Sequence, residues 1–275
     1  ANTSIWMHQF AKVAVSKQLN QDFYIQSFAK RLCKIMYYGI KPVFVFDGGV
    51  PLLKKETVRK RGRKEDRDEI SMIAKRLLRN HTEKQDLKKI VEEQKAISKL
   101  LQLFGVPYLI APMEAEAQCA FLEMNSLVDG IVTDDNDVFL FGGENILRHF
   151  FSNSNSELLN YKMCTIREKT GWKRNELIDL ALLLGSDYCN GLKGIGKVKA
   201  KEILNHFHSI ECFVEWFLNG SDENVPSSIV KLRNKIILPD DFNDYKVRDA
   251  YLNPTVDQSM EPFQWGSPDF DEIAK

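Results

Sequence analysis

The residues of this chain best suited to do chemistry are carboxylates that recur where short apolar runs end. Asp47 closes Pro42-Val43-Phe44-Val45-Phe46, Glu114 and Glu116 follow Pro107-Tyr108-Leu109-Ile110, and Asp134, Asp135 and Asp137 follow Gly130-Ile131-Val132-Thr133. Asp187 comes just after a helical pattern that ends at Gly185. Runs of that length, rich in β-branched and aromatic residues, predict buried parallel strands. In an open α/β sheet, ligands bind beyond the carboxyl ends of such strands. Carboxylates gathered there would repel one another and raise some of their pKa values unless cations neutralise them. Hard oxygen donors select magnesium or manganese. Each piece alone has a plainer role. Asp before Gly-Gly forms turns, Glu in a first helical turn is favoured by the helix dipole, Thr133 to Asp137 can cap a helix, and Asp187 fits an ordinary turn. Repetition at one edge, with no basic residue in those segments, is what points to chemistry.

Two basic features accompany the carboxylates. Lys54 and Arg61 are seven residues apart, so on a helix they project from one face, and that helix begins just after Asp47. Further on, Gly194 and Gly196 sit among Lys193, Lys197, Lys199 and Lys201 at the start of a helical pattern. Glycines there let backbone amides approach an anion at the helix N-terminus. A solvated charge run is the plain reading of the first, and Gly-x-Gly by itself is a weak signal for the second.

The elements that must position these residues alternate. Helical patterns at 25–38, 87–104 and 114–124 interleave with the strands, and β-like runs at 146–151 and 158–162 extend them. The fold class expected is α/β, a doubly wound, mainly parallel sheet flanked by helices. Beyond residue 175 the patterns at 177–184, 195–207 and 210–218 predict a helical subdomain. The chain has 275 residues, is 44% hydrophobic and carries 38 basic and 38 acidic residues. It is long enough to bury a full core, and its total charge does not announce nucleic acid, so a polyanion would have to meet local basic patches. Apolar runs fall short of the roughly 20 residues of a membrane span, which predicts no membrane partner and an intracellular protein. Cys33, Cys119, Cys164, Cys189 and Cys212 are odd in number and lack C-x-x-C spacing, arguing against a disulfide framework or a zinc site.

Phe44-Val45-Phe46-Asp47-Gly48, Ala111-Pro112-Met113-Glu114-Ala115-Glu116-Ala117, Thr133-Asp134-Asp135-Asn136-Asp137 and Leu184-Gly185-Ser186-Asp187-Tyr188 resemble, in order and spacing, the acidic motifs of the flap-endonuclease superfamily. The wording around Pro112 to Cys119 and Val138 to Gly142 is similar to the XPG branch. The resemblance runs from Ser4-Ile5-Trp6 to Phe263-Gln264-Trp265-Gly266. It implies a structure-specific DNA endonuclease that cuts one strand at a single-strand/double-strand junction, bubble or flap, in nucleotide excision repair in the nucleus. Its cofactors would be two Mg2+ (or Mn2+) ions that together stabilise the attacking and leaving oxygens. By the same resemblance Asp47, Glu114, Glu116, Asp135, Asp137 and Asp187 are metal-site carboxylates, with Asp134 an adjacent acid and the division between two ions left open. Asp47, Glu114, Lys54 and Arg61 make the catalytic set, the last two on a gateway helix that polarises the scissile phosphate, with Lys55, Arg59, Lys60 and Arg63 on neighbouring phosphates. The glycine hairpin, through Lys193, Gly194, Gly196, Lys197, Lys199 and Lys201, resembles a helix-two-turn-helix that grips duplex backbone and binds K+. His8 matches a base-stacking position, with an ordinary structural role beside it. Trp6 and Trp265 stand as core or wedge.

The organisation expected is an N-terminal nuclease half at 1–61, a charged arch or spacer remnant at 62–90, an internal half at 91–188, the helix-two-turn-helix at 189–253 and an acidic tail wrapping the core at 254–275. The opening at Ser4-Ile5-Trp6 reads as a trimmed strand-to-helix turn, and the long acidic spacer of the XPG branch is absent. Other repair factors would engage through parts outside this chain. One departure matters: Asn2 stands where the family has its first acidic residue. It predicts weakened metal binding and impaired catalysis, and it supports a competing reading as a non-catalytic DNA-junction binder. A third reading, a small-molecule phosphatase, accounts for the carboxylates and leaves both basic features unexplained.

Overall fold

A computed structural model describes residues 2, 3, 6, 21–49, 51–55, 57, 91–150, 158–239, 242–243 and 245–273. The chain runs through α1 (Gln21–Tyr37), β1 (Phe44–Phe46), a helix over 91–103, β2 (Tyr108–Ile110), α2 (Ala115–Met124), β3 (Ile131–Val132), α3 (Asp137–Leu140), β4 (Asn145–Arg148) and β5 (Leu159–Lys162). Helices then dominate: α4 (Met163–Thr170), α5 (Arg174–Leu184), α6 (Lys197–Phe207), α7 (Ile210–Asn219), α8 (Ser227–Arg233), α9 (Tyr245–Leu252) and α10 (Phe270–Ile273).

β1 pairs in parallel with β2, and β3 pairs in parallel with β4, as expected of buried runs. Two features differ from the sequence reading. β5 pairs antiparallel with β4, in register Asn145 with Lys162, and all four of its residues are exposed, so it is an edge strand added by a return of the chain. The strands also form two ladders that Asn2 joins. Its backbone makes a parallel bridge to Val45 on one side and donates to the Val132 carbonyl at 3.2 Å on the other. A cavity of about 600 Å³ lies between the ladders, lined by Val43, Val45, Ile131, Val132 and Cys119, with Lys41 and Asp129 marking it as the edge from which β1 and β3 start.

The winding of helices on both faces follows from strand alternation. Phe44 and Phe46 enter one core with Trp6, Phe28, Leu32, Ile97 and Leu101, while Val45 enters another with Ala115, Cys119 and Ala120. Trp6 is thereby a core residue, 5.3 Å from Phe28 and 5.2 Å from Phe44 between ring centroids. The second core continues without a break through Leu182, Ile203, Phe213 and Ile229, so the helical part shares it with the sheet. Buried Asp179 ties that part together: it accepts the Ile210 amide at 3.2 Å and pairs with Arg248.

The tail is tied to the rest of the chain by hydrogen bonds. Buried Gln118 exchanges two hydrogen bonds with the Asp257 backbone, at 2.9 and 2.7 Å. Trp265 donates to the Pro42 carbonyl at 3.0 Å, which makes it an anchor of the tail. Among the described residues no helix is long and apolar enough to cross a membrane, and all five cysteines are free thiols.

Candidate active site

The carboxylates lie at the carboxyl edge of the strands because most of them leave a strand or enter a helix at that level, with Asp187 added from the end of α5. Asp47 immediately follows β1, and its Oδ1 accepts the Ala115 amide at 2.7 Å, capping the first turn of α2. Gly48 must lack a side chain, since a Cβ there would stand 1.9 Å from the Ala111 carbonyl oxygen. That close approach brings the β1 end against the segment carrying Glu114. Glu114 holds the N-cap position of α2 in extended conformation and Glu116 lies in its first turn, both buried. After β3, Thr133 Oγ1 accepts the Asp135 amide at 3.1 Å, and Asp135 Oδ1 accepts the Asp137 amide at 3.0 Å, so the acidic turn is wound tightly into α3. Asp134 faces away from this turn and accepts the His149 amide at 2.8 Å, which accounts for its separate standing. Asp187 follows α5 and is half exposed.

Crowding shows in the electrostatics. Burial, then Asp47 and Asp135, push the Glu116 carboxyl up to about 8, against the opposing hydrogen bonds of its own backbone and of Asn2. Burial, then Asp135, Asp187 and Glu114, push Asp137 up to about 7, with Lys54 opposing. Lys54 reaches in from the helical residues 52–55 and binds Glu114 at 2.5 Å and Asp187 at 2.9 Å. Burial alone would lower its pKa; those two partners more than reverse the effect and keep it charged. The same helical segment is fixed from behind by Thr57, whose buried hydroxyl donates to the Tyr188 carbonyl at 2.8 Å.

Asn2 donates its side-chain amide to Glu116 Oε1, so it neutralises none of this charge and engages one of the buried acceptors. Among the described residues no three acidic, histidine or cysteine side chains converge on one point. Lys54 lies between Glu114 and Asp187, and the remaining like charges repel. The donor set nonetheless fits a hard divalent cation: oxygen ligands only, Glu114 and Glu116 buried, and Glu116 and Asp137 with raised pKa values that a cation would bring down.

The basic features are placed in part. Lys55 is exposed beside the site, whereas Arg59, Lys60, Arg61 and Arg63, like His8, lie outside the described residues. In the hairpin Lys193, Gly194, Gly196, Lys197 and Lys201 are exposed and Lys199 is half-buried. Gly194 has φ +89°, and no atom lies within 4 Å of a Cβ at Gly194 or Gly196, so the backbone opens to solvent where α6 begins. Two residues escaped the sequence reading. Tyr188 hydrogen-bonds Glu114, and Tyr251 contacts Asp137 at 3.5 Å. Adjacency to Asp187 could have flagged the first; Tyr251, distant in sequence, carries no local signal.

Two family models match this chain: the XPG N-terminal domain over residues 2–69 and the XPG I-region over 105–187. The DNA repair protein RAD2 of Saccharomyces cerevisiae is 44% identical over 189 residues, 65% of this chain and 18% of that protein. Flap endonuclease 1 of Dictyostelium discoideum is 31% identical over 291 residues, 100% of this chain and 72% of that protein. Among solved structures, the catalytic core of Rad2 in complex with DNA substrate is similar with a TM-score of 0.83 at 42% identity, over 99% of this chain and 84% of that chain.

Proposed function

Because the chain belongs to the XPG and flap-endonuclease family, we propose that it is a structure-specific DNA endonuclease. It hydrolyses a phosphodiester at a single-strand/double-strand junction and acts in nucleotide excision repair in the nucleus. The observation that carries this reading is the edge of crowded carboxylates, Glu116 and Asp137 with raised pKa values among them, facing a charged lysine. Asp47, Glu114, Glu116, Asp135, Asp137 and Asp187 would hold two divalent ions, which supply the activation of water and the screening of charge on the phosphate. Lys54 sits where it can turn from Glu114 and Asp187 to a phosphate oxygen once cations take over those carboxylates, stabilising charge as it develops. Arg61, seven residues on, is assigned the same task. The hairpin lysines and the open amides at Gly194 and Gly196 would hold duplex backbone and a K+ ion, contacts that read shape and not sequence.

The geometry at Asn2 favours a second reading, a junction binder that no longer cuts. An amide donates into Glu116 where the family has an acid, so the site lacks one negative charge and one acceptor is engaged. Both readings predict DNA binding. Incubation of bubble, flap and nicked duplex with Mg2+ or Ca2+ separates them: incision confined to the junction and to Mg2+ supports the endonuclease, and retention of every substrate uncut with Mg2+ supports the binder.

A further inference from the structure

Tyr251 lies outside both matched segments, on α9, yet it is fully buried against the carboxylate edge. Its ring stands between Phe141, with centroids 5.3 Å apart, and Tyr188, at 4.8 Å and 82°. Its backbone is clamped as well. Arg174 donates to the Leu140 carbonyl at 2.8 Å and to the Tyr251 carbonyl at 2.7 Å, tying α9 to the end of α3, the short helix that Asp137 opens. The phenol oxygen therefore has little freedom. Ser186 also hydrogen-bonds that oxygen, and the phenolic hydroxyl donates to Asp137 Oδ2, a carboxylate oxygen that can only accept. That contact is 3.5 Å, at the long end of hydrogen bonding. It matters because everything else named around Asp137, apart from Lys54, repels it: Asp135, Asp187 and Glu114 all carry like charge.

We propose that Tyr251 is a positioning residue for Asp137: its hydroxyl holds one carboxylate oxygen toward α9 and so keeps the other available to a divalent ion. The inference rests on the reading of these carboxylates as a metal site. A positioning hydroxyl of this kind is fixed by packing from the helical part of the molecule, which makes metal affinity depend on α9 being seated.

The test is calorimetric titration of Mn2+ into the full chain, alongside thermal melts, for the parent, Tyr251→Phe, Phe213→Leu and Asp135→Asn. Tyr251→Phe keeps the ring and removes only the hydroxyl, so Mn2+ affinity should fall about 10-fold or more with little change in melting temperature. Phe213→Leu loosens the same core among Phe207, Trp216 and Phe217, away from Tyr251, and should lower the melting temperature while leaving Mn2+ affinity near that of the parent. Unchanged affinity in Tyr251→Phe, or an equal loss in Phe213→Leu, would overturn the positioning role and leave the metal site standing. Parent binding that is absent or indifferent to Asp135→Asn would overturn the metal-site reading itself, and the positioning role with it.

Discussion

At the scale of single residues, the two raised carboxylates give the site a signature measurable without DNA. Glu116 and Asp137 bind protons in the folded state over a range where an unfolded chain has released them, from 4.5 to about 8 for Glu116. Where the native state holds more protons, stability falls as pH rises. In the presence of a chelator, the melting temperature contribution from this site should therefore decline from pH 5 to pH 8. Mg2+ should stabilise the protein more at pH 8 than at pH 5, since a cation replaces the protons. Melts across that range, with and without Mg2+, check this, and a Mg2+ effect larger at pH 5 would contradict it. The acids are legible in the sequence because each follows a strand, opens a helix or, for Asp187, follows one, a position fixed by short-range pattern. Their hydroxyl partners Tyr188 and Tyr251 were not: a tyrosine at core spacing looks the same whether or not its hydroxyl meets a carboxylate. Trp6 fits core or wedge equally on sequence for the same reason, and its contacts with Phe28 and Phe44 decide it.

On the proposed reading, whole elements separate grip from chemistry. The hairpin before α6 exposes its lysines and open glycines at a place distinct from the carboxylate edge, and only Asp187 with its neighbours stands between them in the chain. Lys197→Ala with Lys199→Ala should weaken duplex binding with the junction preference retained, whereas Asp187→Ala should abolish cleavage and leave binding largely intact. Binding curves for both proteins on one flap substrate test this; equal loss in both would join the two elements into one function. Strand and helix order was readable from apolar runs and their period, and so was the parallel pairing of the buried runs, but the direction of exposed β5 was not. β5 has the β-rich composition of its neighbours and returns antiparallel because its connection from β4, residues 149–158, is shorter than the dozen or so residues that a parallel crossover takes. Helices α4, α8 and α9 went unread because none carries a strong apolar stripe: they are short and bury few residues each, held by the larger core they join.

Over the whole molecule, zero net charge conceals an uneven distribution, with acids at the strand edge and bases in the run after Asp47 and in the hairpin. Binding through phosphates predicts affinity that falls steeply with salt, roughly 1000-fold between about 50 and 200 mM if six phosphates are neutralised. It should also vary little among duplexes of one shape and different sequence; a strong sequence preference would contradict phosphate contact as the source of binding. The central claim, that this edge of carboxylates is a metal-dependent nuclease site weakened at one position, is tested most directly by Asn2→Asp. Single-turnover cleavage of one flap substrate in Mg2+ should rise at least about 10-fold over the parent, and Asp135→Asn in the same background should remove the gain. Near-background cleavage by a folded, DNA-binding Asn2→Asp protein would contradict the account.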